Sequence, residues 1–116
     1  MTNVDIKGAI SYTFHQMKSV DRSMLNQSGW YGIEIVATSS QLRKILGKPD
    51  THGDDKVNFE WFKELSDGRV FSVYDWKEGR LGRRKIAWHI GGFDKQTTID
   101  ARLALLEMMN TTEKPC

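Results

Sequence analysis

The sequence predicts an α+β fold: a single domain with one mainly antiparallel sheet, in the order α-β-α-β-β-β-α, and helices packed on one face. Three observations carry that expectation. From Val57 to Ile90 apolar and polar residues alternate with a period of two, broken by the turn signal Ser66-Asp67-Gly68-Arg69 and by a basic, glycine-bearing loop. Ahead of this region a short amphipathic run begins at Thr38 and stops at Gly47 and Pro49. Behind it, Ile99, Leu103, Leu106 and their neighbours return to the helical period. A chain of 116 residues holds one such domain, expected over 1–110, with 1–30 a variable N-terminal segment, 38–109 the core and 111–116 a disordered tail.

Ile6, Ile10, Phe14 and Met17 recur at spacings of 4, 4 and 3, which predicts a helix over 5–20. Asn26-Gln27-Ser28-Gly29 ends it, and the β-branched Ile33, Ile35 and Val36 mark a strand. At Thr38 or Ser39 a hydroxyl can accept from the free amides of a first helical turn. Gln41, three residues after Thr38, completes a capping box, and Leu42, Ile45 and Leu46 line the buried face. Gly47 can take a left-handed conformation at the end of this helix, which Pro49 prevents from continuing.

A two-residue turn at Asp67-Gly68 would pair Leu65 with Val70, Trp61 with Tyr74 and Phe59 with Trp76, and would set Glu60 opposite Asp75. A three-residue turn with a bulge would slip that register by one. In the following strand Ile86, Trp88 and Ile90 face one way, Ala87 and His89 the other, and Gly91-Gly92 end it. Thr97, with Asp100 three residues on, is positioned to cap the last helix, whose apolar face is drawn from Ile99, Leu103, Leu105, Leu106, Met108 and Met109.

The segments Asn58-Phe59-Glu60-Trp61-Phe62-Lys63-Glu64-Leu65, Tyr74-Asp75-Trp76-Lys77 and Trp88-His89-Ile90-Gly91-Gly92, preceded by the helix end Leu46-Gly47-Lys48-Pro49, resemble small uncharacterised proteins of tailed bacteriophages. The resemblance covers roughly residues 38–109. It implies a phage origin and carries over no catalytic residue.

Hydrophobic residues at 39% and charged residues at 28% describe a folded chain, and no stretch is apolar enough for a membrane span. No secretory leader is recognisable, so a soluble protein in the cytoplasm of a bacterial host is expected. The single cysteine, Cys116, excludes an internal disulfide or a multi-cysteine metal site.

The net charge of +2 is unevenly placed. Residues 77–85 carry Lys77, Arg80, Arg83, Arg84 and Lys85 against Glu78 alone. With Trp76 beside them, these cations are the predicted contact surface, and a host protein with an acidic surface is the expected partner. Arginines and glycine-freed amides could equally grip phosphate, so nucleic acid or a nucleotide is the alternative. A solvated loop that guards the sheet edge has the same composition.

A second constellation is Glu60, Asp75 and His89, which the two-residue turn would gather on the polar face, where a carboxylate beside an imidazole suits acid–base chemistry. Asp75 bonded to a backbone amide, with His89 a packed strand residue, is the simpler arrangement. No nucleophile motif accompanies the three. Asp50, His52, Asp54 and Asp55 are rich in oxygen but lack calcium-loop spacing, and the scattered His15, His52 and His89 form no zinc pattern. No metal and no cofactor is expected. The function expected is non-enzymatic: a phage-type accessory protein that binds and blocks a host protein, in the manner of a defence antagonist.

Overall fold

The computed structural model describes residues 17–52 and 56–113. Four strands, β1 (Gly29–Ala37), β2 (Glu60–Glu64), β3 (Val70–Tyr74) and β4 (Ile86–Gly92), make one antiparallel sheet in the spatial order β1-β4-β3-β2. Two helices, α1 (Ser39–Leu46) and α2 (Lys95–Glu113), pack on one face, and a short 3-10 helix, Arg22–Leu25, lies against the other. The architecture is α+β, as expected.

Alternation decides which side chains meet the helices. Ile35 and Ala37 of β1, Trp61 of β2, Phe71 and Val73 of β3, and Trp88 and Ile90 of β4 are all fully buried in one cluster with Leu42, Ile45 and Leu46 of α1. Both core tryptophans have partners for their N–H groups: Trp61 donates to the Gly47 carbonyl at 3.0 Å and Trp88 to the Ala37 carbonyl at 2.9 Å. Their rings meet edge to face at 5.6 Å, so each indole is packed and satisfied.

The capping box of α1 is complete. The Thr38 hydroxyl accepts from the Gln41 N–H at 3.0 Å, the Gln41 side chain accepts from the Thr38 N–H at 2.8 Å, and Gly47 closes the helix at φ +82°. In α2 the cap is Asp94 rather than Thr97: its carboxylate accepts the Thr97 N–H at 2.8 Å. Two hydrogen bonds from Thr97 hold the Asp94 carboxyl below its ordinary pKa. The helix therefore begins three residues earlier, and its buried face differs from the expected one. Thr98, Ala101 and Leu105 are fully buried, whereas Leu103 is 58% exposed. The small Thr98 and Ala101 let α2 sit close to the sheet; a side chain on Gly92 would begin 3.1 Å from the Thr98 methyl. The helix also continues through Glu113, beyond the expected start of the tail at 111.

The β2–β3 connection uses the longer turn. Glu64 pairs with Val70 and Glu60 with Tyr74, and the Leu65 N–H donates to the Arg69 carbonyl at 2.8 Å. Residues 66–68 therefore form the loop, with Gly68 left-handed at φ +92°. Arg69 ties this turn to α2 through Asp67 and Asp100, both at 2.9 Å. Relative to the two-residue turn every β3 residue moves one place: Trp61 pairs with Val73, and the expected Trp61–Tyr74 and Phe59–Trp76 pairs do not form.

The first expected helix falls largely outside the described residues. Its last four, Met17–Val20, run extended along the outer edge of β2, with a bridge between Ser19 and Lys63. Thr51 bridges to Glu60 on the same edge. Lys63, 3% exposed, reaches the Ser19 hydroxyl at 2.6 Å and the Asp50 carboxylate at 3.4 Å. Backbone amides that would otherwise recruit another strand are thereby occupied.

Candidate functional site

Loop 77–85 begins where β3 ends. Asp75 is fully buried. One of its carboxylate oxygens accepts the backbone N–H groups of Asn58 at 2.9 Å and Phe59 at 3.0 Å, and the other accepts the Asn58 side-chain amide at 2.7 Å. The same amide donates to the Gly79 carbonyl at 2.7 Å, and the Lys77 N–H donates to the Lys56 carbonyl at 2.7 Å. Leu81 plugs the middle of the loop into the main core. A buried polar group needs its hydrogen-bonding capacity met; Asp75 meets it with Asn58 and Phe59, and Asn58 in turn ties the loop at Gly79.

The cations divide into two kinds. Arg84 turns inward: its guanidinium donates to the carbonyls of Glu78 at 3.0 Å and Arg80 at 2.5 Å, and lies 3.7 Å from the Glu78 carboxylate. It closes the loop. Lys77, Arg80, Arg83 and Lys85 are exposed, and among the described residues none of them makes an ion pair. Trp76, 41% exposed, has the Lys56 and Lys77 ammonium groups 5.8 and 5.7 Å from its ring centroid. Trp88, at the other end of the loop, is a core residue and offers no face for stacking.

The observed register breaks up the trio of Glu60, Asp75 and His89. Asp75 belongs to the loop anchor, and Tyr74 takes its place: Glu60 pairs with Tyr74, Tyr74 with His89, and His89 with Glu34. One row of four polar side chains thus crosses all four strands on the face away from the helices. Trp30 lies flat over His89, with ring centroids 3.8 Å apart and planes within 2°. Tyr74 meets His89 edge-on at 5.3 Å, and His89 Nε2 is 3.6 Å from the Glu34 carboxylate.

Burial pushes the His89 imidazole below its ordinary pKa, against the opposing pull of the Glu34 and Glu78 carboxylates. Burial, then the Glu60 carboxylate, pushes the Tyr74 phenol up. Both rings are therefore neutral near pH 7.

Sequence reasoning missed Trp30, Glu34 and Tyr74. For Glu34 the signal was present, a carboxylate between Ile33 and Ile35 in a strand. For Trp30 it was not, because two extra residues of β1 between Trp30 and Glu34 turn the indole back over the sheet. Gly32 makes that detour at φ +85°, and the Trp30 N–H closes it on the Ile33 carbonyl at 3.0 Å.

Beside the row lies a cavity of about 280 Å³. Its floor is Phe62, Ser72, Tyr74 and Gly91, Glu60 stands at its side, and Arg22 and the turn Asn26–Gly29 form its roof. Gly91 is required, since a Cβ there would stand 2.7 Å from the Ser72 hydroxyl. No family model, curated protein or solved structure matches the chain.

Among the described residues no group of three or more His, Cys, Asp or Glu side chains is placed to hold a metal ion, and no helix is long and apolar enough to cross a membrane. Asp50, from the oxygen-rich loop, serves the β2 edge: its carboxylate accepts the Phe62 N–H at 2.8 Å and the Ser19 hydroxyl at 3.0 Å. Asp54 and Asp55 lie outside the described residues.

Proposed function

We propose that this chain is a non-enzymatic binding protein whose loop 77–85 docks on an acidic surface of a host protein and blocks it by occupancy. The observation that carries the reading is the division of labour among the cations. Asp75, Leu81 and Arg84 hold the loop backbone in place, and Arg80, Arg83 and Lys85 stand in solvent without acid partners among the described residues. A loop already held in shape loses little conformational entropy on binding, and clustered charge raises the association rate and orients the encounter. Trp76 supplies an aromatic side chain of the kind that carries affinity at interface centres. With the phage resemblance, the partner is a cytoplasmic host protein, and antagonism of a host defence is the consequence such occupancy would have.

Phosphate recognition by the same loop is the second reading, favoured by Trp76 between two lysines. Arg80, Arg83 and Lys85 changed together to Glu, with Arg84 kept, should abolish capture of a host protein and weaken the purified complex at least tenfold in titration calorimetry. Equal capture by both chains would remove the loop from the interface. Oligonucleotide binding whose log affinity falls steeply and linearly with log salt would move the reading to phosphate.

A further inference from the structure

We infer that the cavity under the Arg22–Gly29 roof is a binding site for a small neutral carbohydrate, one sugar ring at a time. It lies on the polar face of the sheet, and its lining differs in kind from the cationic loop.

Size comes first. A volume of about 280 Å³ equals the share of about nine liquid water molecules, below the range of drug-sized pockets and suited to a single small ring. Polarity comes second. Arg22, Asn26, Gln27, Ser28, Ser72 and Tyr74 present hydrogen-bonding side chains, while Leu25 and Phe62 are the apolar ones. One arginine and one carboxylate, Glu60, of opposite sign leave the lining without net charge, which disfavours a polyanion or a strongly cationic ligand. Donors and acceptors both occur, as a polyhydroxylated ring requires.

The aromatic groups narrow the class further. Phe62 is 3% exposed, packed with Leu25, Val70 and Val20, and the Tyr74 ring is engaged edge-on by His89. Of the two lining rings, Tyr74 is the partly exposed one. Trp30, paired with Gly91 of the floor and stacked on His89, borders the site, and its 44% exposure leaves a flat apolar surface at the edge. A ring with C–H groups on its face and hydroxyls around its rim matches a polar cup beside such a surface.

The roof carries strain. The Ser28 N–H donates to the Leu25 carbonyl at 3.0 Å, closing a turn in which Gln27 sits at φ +68°. Glycine is the residue that this conformation favours. A glutamine held there keeps a side-chain amide at the cavity wall that glycine would not provide.

The test uses the full chain and a panel of glucose, galactose, mannose and N-acetylglucosamine, with nucleosides and free amino acids alongside, read by amide-resolved NMR. At least one sugar should bind with a dissociation constant on the order of millimolar and shift the amides of Gln27, Ser28, Ser72 and Gly91. Gln27→Gly, which suits the turn and preserves folding, should weaken it at least fivefold. Arg22→Ala provides a second, exposed variant with the same expected direction. Replacing Arg80, Arg83 and Lys85 by Glu should leave sugar binding unchanged, so failure here and failure of the docking reading are separate results. Saturable binding of a nucleoside or amino acid at these amides in place of sugars would overturn the assignment of class. No binding by any member at 50-fold above about 1 mM, or binding indifferent to both variants, would overturn the site.

Discussion

The two faces of the sheet are made by the same strands and obey opposite rules. On the helix side Ile35, Trp61, Phe71, Val73, Trp88 and Ile90 are sealed from water. The opposite side carries Glu34, His89, Tyr74 and Glu60 in one row, a polar cavity, and the exposed Trp30 and Val36. The closed face has little freedom, because dense packing penalises any change of volume. The open face is where a ligand or partner can be met, and its side chains are placed by irregularities: the detour at Gly32, the left-handed Gln27 and the extra residue in the turn at Gly68.

The sharpest way to break this comparison is to cut one tryptophan on each side. Trp88→Ala should cost about 3–5 kcal/mol and leave the chain mostly unfolded, since it empties a fully packed core position. Trp30→Ala should cost under about 1.5 kcal/mol, the worth of one partly exposed ring pair. Urea unfolding of both variants measures the difference, and equal losses would mean that the open face is part of the core.

A smaller effect separates the loop anchor from the polar row. Asp75→Ala leaves the Asn58 and Phe59 amides without their acceptor and should cost about 1–3 kcal/mol. In hydrogen exchange the protection lost should be that of residues 56–59 and 77–85, with the Tyr74–His89 pairing retained. Loss spread evenly over both regions would show that they are one cooperative unit.

The smallest effect is a pH dependence. The folded state holds the His89 pKa below 6.5, so above that value both states are neutral and the stability is complete. As pH falls through 6.5 the unfolded chain binds the proton first, and stability declines until the folded imidazole also titrates. His89→Gln should flatten the stability profile between about pH 7 and 5 relative to the parent. An unchanged profile would remove His89 as its source.

Much of the closed face was legible in the sequence. Binary alternation placed Ile86, Trp88 and Ile90 together, and the capping box of α1 was readable because its two hydrogen bonds join residues three apart. The open face was less so. Glu60 and His89 were assigned to it, but their neighbour was misread as Asp75, because a two-residue and a three-residue turn are both compatible with Ser66-Asp67-Gly68-Arg69. Likewise Thr97 and Asp94 are both good caps, and which of them serves, like the outward placing of Leu103, depends on how α2 packs against the sheet at Gly92. Met17 shares the helical spacing of Ile6, Ile10 and Phe14, yet Met17–Val20 lie extended, because the open edge of β2 offers hydrogen bonds to a neighbouring strand.

By itself, then, the amino-acid order determined the number and kind of the central elements, the identity of most core residues and the existence of a cationic loop, since all of these follow from spacings within one segment. Only the tertiary structure decided the strand register, the placing of Trp30 on His89 and the cavity beside them. Each of those is a contact between segments far apart in the chain. Its energy depends on which competing partner arrives, and that information is not local to any stretch of sequence.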